Sequence, residues 1–461
     1  MARVPGDHDA VLHWQRLGDL SAMSSLGDSR SLRWLLLGGT AAALLGCACA
    51  LGLDFAPLTP WTWTAILASV LGGVLVIATA LAWRQKTLSP ASLAGVLLLG
   101  VAFRLAAMPA RQFLSDDAFR YRWDGKVLWH GINPYRYAPA DPAFDHLRTE
   151  PLDLAVARPD LRTVYPPLAE VVFALGYALT PARLLGLQAL LLLSEVAAWL
   201  LLLRELQCRG LPLASILLMA WSPLLIFQGY LPGHVDMLML PFIVLFIGSI
   251  ERGSGLAAAA ALALACLIKP HAVIFAPAAF KQLGLRRGAL FALVFTGVFM
   301  GFYLPFLSPG LSVFSSVGLM ARHWAFNGSL AALLRLALSR DLSREIAAVL
   351  LVLLVVVSAW RGRDSTARML MAATAFVVCT PNLFPWYLFL AMPLLVLRAD
   401  PALLLLSVLI PITETVTLNF RLTGVWQQPL WQVLVEYVPF YVVLGLSAWR
   451  RWGMFGRGEV R

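Results

Sequence analysis

Long apolar segments separated by short polar connections dominate the chain. The first three occupy residues 32–53, 61–83 and 91–108, and each has about the length that crosses a bilayer as a helix. Eleven more follow a long polar stretch, at residues 184–203, 213–230, 235–250, 256–268, 272–280, 289–307, 346–360, 369–380, 384–397, 402–418 and 430–449. The pattern predicts an all-α polytopic membrane protein with about 12–14 transmembrane helices.

The composition narrows the class of protein. Hydrophobic residues make up 60% of the 461 residues and charged residues only 13%. A typical soluble domain has about 45–50% apolar and about 25% charged residues. A soluble globular enzyme, a disordered chain and a disulfide-rich secreted scaffold are therefore excluded. The five cysteines form no C-x-x-C pair, so they predict neither a zinc site nor a disulfide framework.

The distribution of positive charge predicts the topology. The formal net charge is +11, and in membrane proteins Lys and Arg concentrate in cytoplasmic loops rather than marking a nucleic-acid partner. Arg30 and Arg33 precede the first span, and Arg84 and Lys86 follow the second. We therefore expect a cytoplasmic tail over residues 1–30 and a single membrane domain over residues 31–461.

The long polar stretch, residues 110–166, is then an external loop. It is the only extended hydrophilic region between the predicted spans. A loop this long is uncommon unless it is functional. Charges downstream alternate consistently if residues 167–179 lie in or dip into the outer leaflet without crossing, and both termini are then inside.

Most of the unusual polar side chains fall on the predicted external side. A charge at bilayer depth costs roughly 2.5–3.5 kcal/mol, so such residues are usually retained for function. The set comprises Asp116, Asp117, Asp124, His130, Asn133, Tyr165, His234, Asp236, Lys269, His271, His323, Asn327, Trp386 and Tyr387.

The densest cluster is the sequence SDDAFRYRWDG at residues 115–125. Ser115 or Asp116 is suited to cap a helix that runs from about Asp117 to His130. Phe119, Trp123 and Val127 would share one face of it, so we expect an interfacial helix on the outer leaflet. The two adjacent carboxylates are open to three interpretations: a helix cap, a general base or a metal site.

Several motifs together resemble a known family. The cluster is followed by GINPYRYAP at residues 131–139 and VYPPLAE at 164–170, and these resemble the first external loop of GT-C glycosyltransferases. The group most similar is glycosyltransferase family 87, the bacterial polyprenyl-phosphate-mannose-dependent enzymes. Further matches are WSPL at 221–224, GHVD at 233–236, KPH at 269–271, HWAFN at 323–327 and PWY at 385–387, although Ser222 stands where the group commonly has Asn.

The resemblance implies a GT-C-like helical bundle and an inverting sugar transfer on the non-cytoplasmic face of the cell membrane. The donor would be a polyprenyl-phosphate hexose, most simply mannose, and the acceptor a lipid or glycan. Asp117 matches the family's catalytic carboxylate and Asp116 is the second candidate. Lys269, His323 and Arg322 are candidates for the donor phosphate. The candidate substrate-binding residues are Arg120, Tyr121, Asp124, Asn133, Tyr135, Tyr165, His234, Asp236, His271, Asn327, Trp386 and Tyr387.

Two other functions remain open at the level of the sequence. The first is a transporter or flippase of polyprenyl-linked saccharides, although two matching halves, which transporters often show, are not visible. The second is an oligosaccharide polymerase or ligase, which would also have a large external loop. We expect no required cofactor, and a divalent cation held by the neighbouring carboxylates is left open.

Overall fold

A computed structural model describes residues 30–53, 58–84, 88–109 and 114–455. Most of the predicted cytoplasmic tail, together with Lys86 and Ala110, lies outside the described residues. The described part contains seven helices long and apolar enough to cross a membrane and five shorter apolar helices. It contains no β-strand, and two isolated bridges join Phe326 and Asn327 to Asn382. The expectation of an all-α polytopic membrane protein is confirmed.

The α-helices are numbered here in chain order. They are α1 (Arg30–Leu53), α2 (Leu58–Trp83), α3 (Pro90–Ala107), α4 (Asp117–Trp129), α5 (Pro151–Leu154), α6 (Pro167–Leu179), α7 (Leu185–Cys208), α8 (Leu217–Ala220), α9 (Leu240–Glu251), α10 (Gly255–Cys266), α11 (Ala276–Tyr303), α12 (Ser315–His323), α13 (Ser329–Leu334), α14 (Arg340–Arg361), α15 (Ser365–Cys379), α16 (Met392–Leu397), α17 (Pro401–Leu409), α18 (Glu414–Thr423) and α19 (Leu430–Phe455).

Short tight turns of helix connect these elements, especially where proline begins a turn. The 3₁₀ segments are Pro142–Leu147, Leu213–Ile216, Val235–Met239, Pro270–Phe275, Leu304–Phe306, Gly310–Phe314, Pro385–Ala391 and Ile410–Thr413, and Leu224–Gln228 is a π-helix.

The predicted span at residues 213–230 is a broken helix at the centre of the bundle. It consists of a 3₁₀ turn, the four-residue α8 and the π-helix Leu224–Gln228, and nearly all of its residues are buried. Irregular backbone at membrane depth is tolerated only where protein covers it. This segment is therefore the core around which the lipid-facing helices pack.

One buried ion pair fixes this core. Arg104 on α3 and Glu195 on α7 are fully buried, with 2.6 Å between Nη2 and Oε1. The Tyr230 hydroxyl donates to the other Glu195 oxygen at 2.8 Å, and Arg104 donates to the carbonyls of Met219 and Ala220 at the end of α8. Removing one member of such a pair leaves a buried charge and costs about 3–5 kcal/mol. The ion pair and these hydrogen bonds therefore connect α3 and α7 to the broken helix at residues 213–230.

The predicted spans at 272–280 and 289–307 are joined without a long loop. The backbone turns at Gly284 (φ 75°, ψ 175°), a conformation that favours glycine. The exposed Arg286 and Arg287 follow this turn. The chain therefore changes direction at Gly284, and residues 272–280 and 289–307 form two separate apolar segments, as predicted.

The helix α4 is more buried than an interfacial helix would be. Its residues from Ala118 to Val127 are buried except Phe119, because α4 packs along α6. At the crossing, Gly125 meets the backbone at Phe173, and any side chain at residue 125 would collide with it. The helix α6 itself spans about 20 Å, less than the roughly 30 Å hydrocarbon core. The predicted spans α9 and α10 are no longer than α6, so its failure to cross the membrane stays a prediction.

The rest of the external loop folds against α4 through charge. Arg122 and Lys126 both bind Asp153, with Nη1–Oδ1 at 2.6 Å and Nζ–Oδ2 at 2.8 Å. Burial raises the pKa of Asp153, but the hydrogen bonds from Lys126 and Arg122 outweigh this and lower it overall. The carboxylate therefore stays ionised, and the loop is a structured unit rather than a free connection.

Candidate active site

Asp117 stands at the first turn of α4, where the external loop meets the bundle. Its backbone N–H donates to the Ser115 hydroxyl at 3.2 Å, so Ser115 caps the helix and Asp116 makes no capping hydrogen bond. About 29% of the Asp117 side chain remains exposed. Burial, and next the charge of Asp116, raise the pKa of Asp117 to about 6. A carboxylate with this pKa is largely ionised at neutral pH yet accepts a proton readily.

His234 lies beside Asp117. Its Nδ1 is 3.7 Å from the Asp117 Oδ2, which is beyond hydrogen-bond distance. The imidazole is fully buried and stacks on Trp386 with 3.5 Å between ring centroids, and neither ring nitrogen has a hydrogen-bond partner among the described residues. Burial lowers the pKa of His234 well below its ordinary value, so the ring is neutral. The neutral ring therefore adds no positive charge beside the Asp117 carboxylate.

Lys269 is the cation of the cluster. It precedes the 3₁₀ segment Pro270–Phe275, and its Nζ is 3.1 Å from the Asp236 Oδ2. The Asp236 side chain is fully buried and that of Lys269 is 13% exposed. The pair therefore neutralises a buried carboxylate while part of the Lys269 side chain stays exposed. Asp117, His234, Asp236 and Lys269 are called the catalytic cluster below.

Aromatic rings form the walls of the cluster. The Lys269 Nζ lies 5.3 Å from the Tyr165 ring centroid and 5.9 Å from that of Tyr387, within cation–π range. Tyr165 packs edge-on against Tyr121 at 5.0 Å. His271 stacks on Tyr387 at 5.3 Å. Nine of the predicted site residues are thus brought together: Asp117, Tyr121, Tyr165, His234, Asp236, Lys269, His271, Trp386 and Tyr387.

Asp116 is exposed, and no hydrogen bond or ion pair among the described residues joins its side chain to the cluster. Its charge acts on Arg421 of α18, a residue that the sequence interpretation did not single out. Arg421 lies in the predicted external segment 419–428, where a lone cation between two apolar runs was the available signal. The two adjacent aspartates therefore have different surroundings.

Four predicted substrate-binding residues make internal contacts instead of facing the cluster. Arg120 Nε donates to both Asp124 oxygens at 2.9 and 2.8 Å, and its Nη1 donates to the carbonyls of Arg158 and Leu161. Asn133 donates to the Phe306 carbonyl at 2.9 Å. The Tyr135 hydroxyl donates to the Tyr165 carbonyl at 2.6 Å. These bonds hold the loop in place, and Tyr165 with it.

The two other predicted phosphate ligands lie apart from Lys269. Arg322 and His323 end α12 and are exposed. Among the described residues, no hydrogen bond, ion pair or ring contact joins either side chain to the catalytic cluster. Their role as phosphate ligands stays a prediction.

Asn327 belongs to a second polar group, called the Asn327 network below. It has φ 51°, and its Nδ2 donates to Glu436 of α19 at 2.9 Å. Gln428 donates to the Asn327 Oδ1 at 2.6 Å and accepts from its backbone N–H at 3.1 Å. The backbone at Asn327 bridges to Asn382, whose amide donates to the Tyr387 hydroxyl at 3.3 Å. Asn327 therefore helps to hold Tyr387 in place through Asn382.

The described residues contain no group of three or more His, Cys, Asp or Glu side chains that could hold a metal ion. Asn382 and Glu436 were not among the sequence candidates. The signal for Glu436 was a carboxylate in the middle of an apolar span, which is rare unless it has a role.

The chain was compared with known proteins. The model of the α-(1→6)-mannopyranosyltransferase family, N-terminal domain, matches residues 34–283, just over half of the chain. The match includes Asp117, His234, Asp236 and Lys269. No curated protein matches the chain.

Proposed function

The chain belongs to the α-(1→6)-mannopyranosyltransferase family, and from this membership and its site we propose how this membrane mannosyltransferase works. We infer that the donor is a polyprenyl-phosphate mannose and that the acceptor is a lipid or glycan with a free hydroxyl. The observation that carries the proposal is Asp117, an accessible carboxylate beside the neutral His234 and the cation Lys269.

Asp117 is the general base of the transfer. The acceptor hydroxyl gives its proton to the Asp117 carboxylate while its oxygen forms a bond to the anomeric carbon of mannose. The bond from that carbon to the phosphate oxygen breaks, and its electron pair leaves with the polyprenyl phosphate. A pKa of about 6 suits this task, because a base works best when its pKa lies near the operating pH.

Lys269 offsets the charge that develops on the leaving phosphate. The leaving group is already an anion, so it requires cations and donors rather than a general acid. The ammonium shares its charge with Asp236 and still borders the cleft. His234 and Trp386 shape the sugar pocket, and Tyr387 offers the sugar a stacking face.

The family description carries an α-(1→6) linkage, which we extend to this chain as part of the proposal. A single displacement inverts the anomeric carbon. An α-linked product then requires a donor whose mannose is β-linked to phosphate. The acceptor would supply a primary hydroxyl at position 6 of its sugar. We propose that no cofactor is required, and EDTA treatment of the purified enzyme tests whether a divalent cation takes part.

The test is transfer by the purified protein in detergent. A panel of polyprenyl-phosphate sugars is supplied with a mannose-containing acceptor, and release of polyprenyl phosphate is followed together with the product linkage. We expect release only with β-linked mannose and an acceptor present. Transfer with none of the donors, or transport of an intact lipid-linked sugar between leaflets of vesicles without hydrolysis or transfer, contradicts the proposal.

We further propose that the site faces the non-cytoplasmic side of the cell membrane. Ala140 is exposed in the external loop and Cys208 is exposed at the end of α7, on the predicted cytoplasmic side. A cysteine at Ala140 should react with an impermeant thiol reagent in whole cells, whereas Cys208 should react only after permeabilisation. The opposite pattern would place the site in the cytoplasm.

A further inference from the structure

Five arginines on the predicted external side form a surface without carboxylate partners. They are Arg158, Arg322, Arg335, Arg340 and Arg344, and all are exposed except Arg344, which is half-buried. Among the described residues, no ion pair joins any of them to an aspartate or a glutamate. Positive charge usually concentrates in cytoplasmic loops, so five unpaired arginines on the other side indicate a use for them. They are called the arginine surface below.

The end of α12 and the start of α14 build the centre of this surface. Arg340 donates to the His323 carbonyl and Arg344 donates to the Trp324 carbonyl, where α12 ends. The negative end of a helix favours such cations. The Arg344 Nε is buried and has no hydrogen-bond partner within the part of the chain that the structure describes. The two guanidinium groups are therefore held in position, and one of them keeps an unused donor.

The length of α14 places these cations at the depth of lipid headgroups. The helix has 22 residues and rises about 33 Å, close to the roughly 30 Å thickness of the hydrocarbon core. Its first turn, which begins with Arg340, therefore lies at the level of the lipid phosphates. Leu319, Leu336 and Leu342 are exposed beside the arginines. Apolar and cationic side chains next to one another are typical of a segment in the membrane interface.

One contact connects the arginine surface to the helix of the catalytic base. The Arg158 Cζ lies 4.6 Å from the centroid of the Trp324 ring. Arg158 has φ 49°, a backbone conformation that residues other than glycine rarely adopt. Its carbonyl accepts from the Arg120 Nη1 of α4 at 3.2 Å, and α4 begins with Asp117. A ligand that holds Arg158 against Trp324 would therefore steady α4.

We infer that the arginine surface binds the phosphodiester headgroup of an anionic phospholipid, and that this lipid promotes sugar transfer by steadying α4. A guanidinium group pairs with a phosphate through two parallel N–H bonds, which suits a cluster of arginines better than a neutral headgroup does. The acyl chains of the lipid would extend along the exposed leucines into the membrane. The lipid site lies outside the catalytic cluster and goes beyond the proposed function, and only its effect on transfer rests on that function.

The experiment removes two charges and varies the lipid. Arg335→Gln combined with Arg340→Gln is compared with Arg286→Gln combined with Arg287→Gln, a matched control that removes two exposed arginines on the predicted cytoplasmic side. The affinity for a fluorescent phosphatidylglycerol is measured in detergent. Transfer to a neutral, water-soluble mannoside is measured in nanodiscs of phosphatidylcholine alone and of a four-to-one mixture of phosphatidylcholine and phosphatidylglycerol.

We expect the pair Arg335→Gln and Arg340→Gln to bind phosphatidylglycerol about tenfold more weakly than the wild type, because each cation at a membrane surface adds to the attraction. Phosphatidylglycerol should raise the kcat of the wild type severalfold and that of this variant hardly at all. The control pair should resemble the wild type, and replacement of both residues by lysine, which keeps the charge, should restore most of the binding. Equal affinity, or equal stimulation of the glutamine variant and the wild type, overturns the inference.

Other ligands of these arginines give distinct results. If the arginines bind the donor phosphate instead, the glutamine variant raises the donor KM equally in both kinds of nanodisc. If they bind soluble anions, inorganic phosphate stimulates the wild type in phosphatidylcholine nanodiscs as phosphatidylglycerol does. Either result overturns the inference. The affinity for phosphatidylglycerol is measured without sugar transfer, so it separates a failure of this inference from a failure of the proposed function.

Discussion

Two buried polar groups lie at the same end of the bundle and differ in how they are paired. In the catalytic cluster, both nitrogens of His234 lack a hydrogen-bond partner within the part of the chain that the structure describes, and Asp117 keeps 29% of its side chain exposed. In the Asn327 network, the backbone N–H, the backbone carbonyl and both side-chain polar atoms of Asn327 are hydrogen-bonded, to Gln428, Tyr437 and Glu436.

This difference in hydrogen bonding distinguishes a candidate reactive site from a structural network. A buried polar atom without a partner costs free energy, so it persists where a ligand or reaction uses it. A residue whose polar atoms are all hydrogen-bonded, as those of Asn327 are, is held in one arrangement. We therefore assign chemistry to the catalytic cluster and structure to the Asn327 network, and the following substitutions test this division.

The largest effect is expected from Asp117→Asn. The amide has almost the same shape but cannot take the acceptor proton. A positioned base contributes on the order of 10²–10⁴ in rate, so kcat should fall by that factor while the donor still binds. Asp116→Asn is the matched control, because Asp116 is exposed and faces Arg421, and it should lose much less. If Asp116→Asn is inactive and Asp117→Asn is active, the two roles are exchanged.

The pH dependence of activity and of stability tests the same role of Asp117 as the general base. The folded protein raises the pKa of Asp117 from its ordinary value to about 6. Activity that needs the ionised base should therefore fall about tenfold per pH unit below pH 6 and level off above it. The raised pKa also means that Asp117 destabilises the fold as the pH rises from about 4 to 6. Asp117→Asn should thus unfold at an equal or higher temperature at neutral pH.

A smaller loss is expected from Lys269→Met. A charged hydrogen bond to the donor phosphate is worth roughly 1.5–3 kcal/mol, so kcat/KM should fall by about 10- to 150-fold. The single variant also leaves Asp236 buried without its partner, which destabilises the fold. Lys269→Met combined with Asp236→Asn removes that cost. If the double variant recovers normal donor kinetics, Lys269 does not bind the phosphate.

The smallest effect on turnover is expected from Glu436→Ala. It leaves the Asn327 and Gln432 amide donors without an acceptor, at a cost of about 1–3 kcal/mol for each. The unfolding temperature should drop, while kcat per folded molecule should stay within about threefold of the wild type. Circular dichroism and the transfer assay on the same sample check both. If the variant instead keeps normal stability but loses turnover, Glu436 takes part in catalysis.

Much of the site was accessible from the sequence because the membrane makes polar residues conspicuous. Asp117, His234, Asp236 and Lys269 each interrupt or border apolar runs, and the positive-inside rule places them on one side. The structure brings these four together. The motifs also indicated a resemblance to glycosyltransferase family 87, and the family match confirms it.

The sequence did not indicate which polar residues turn inward. Arg120 and Asp124 share a motif with Asp117, yet they pair with each other, and Arg120 also donates to the carbonyls of Arg158 and Leu161. The helix α4 was expected at the lipid surface, but packing against α6 buries it. Both outcomes depend on neighbours about forty to sixty residues away along the chain.

The difference between what the sequence predicted and what the tertiary structure decided has a physical reason. In a bilayer the backbone polar groups of a lipid-exposed segment must be satisfied within that segment, so the apolar pattern was sufficient to predict the regular membrane helices of this protein. The broken helix at residues 213–230 depends instead on the protein that covers it. Pairing between side chains depends on distances across the fold: Lys269 meets Asp236, and Asn327 meets Glu436, only after the spans have packed. The tertiary structure therefore decided which carboxylate is neutralised, which amide is locked and which carboxylate, that of Asp117, stays partly exposed.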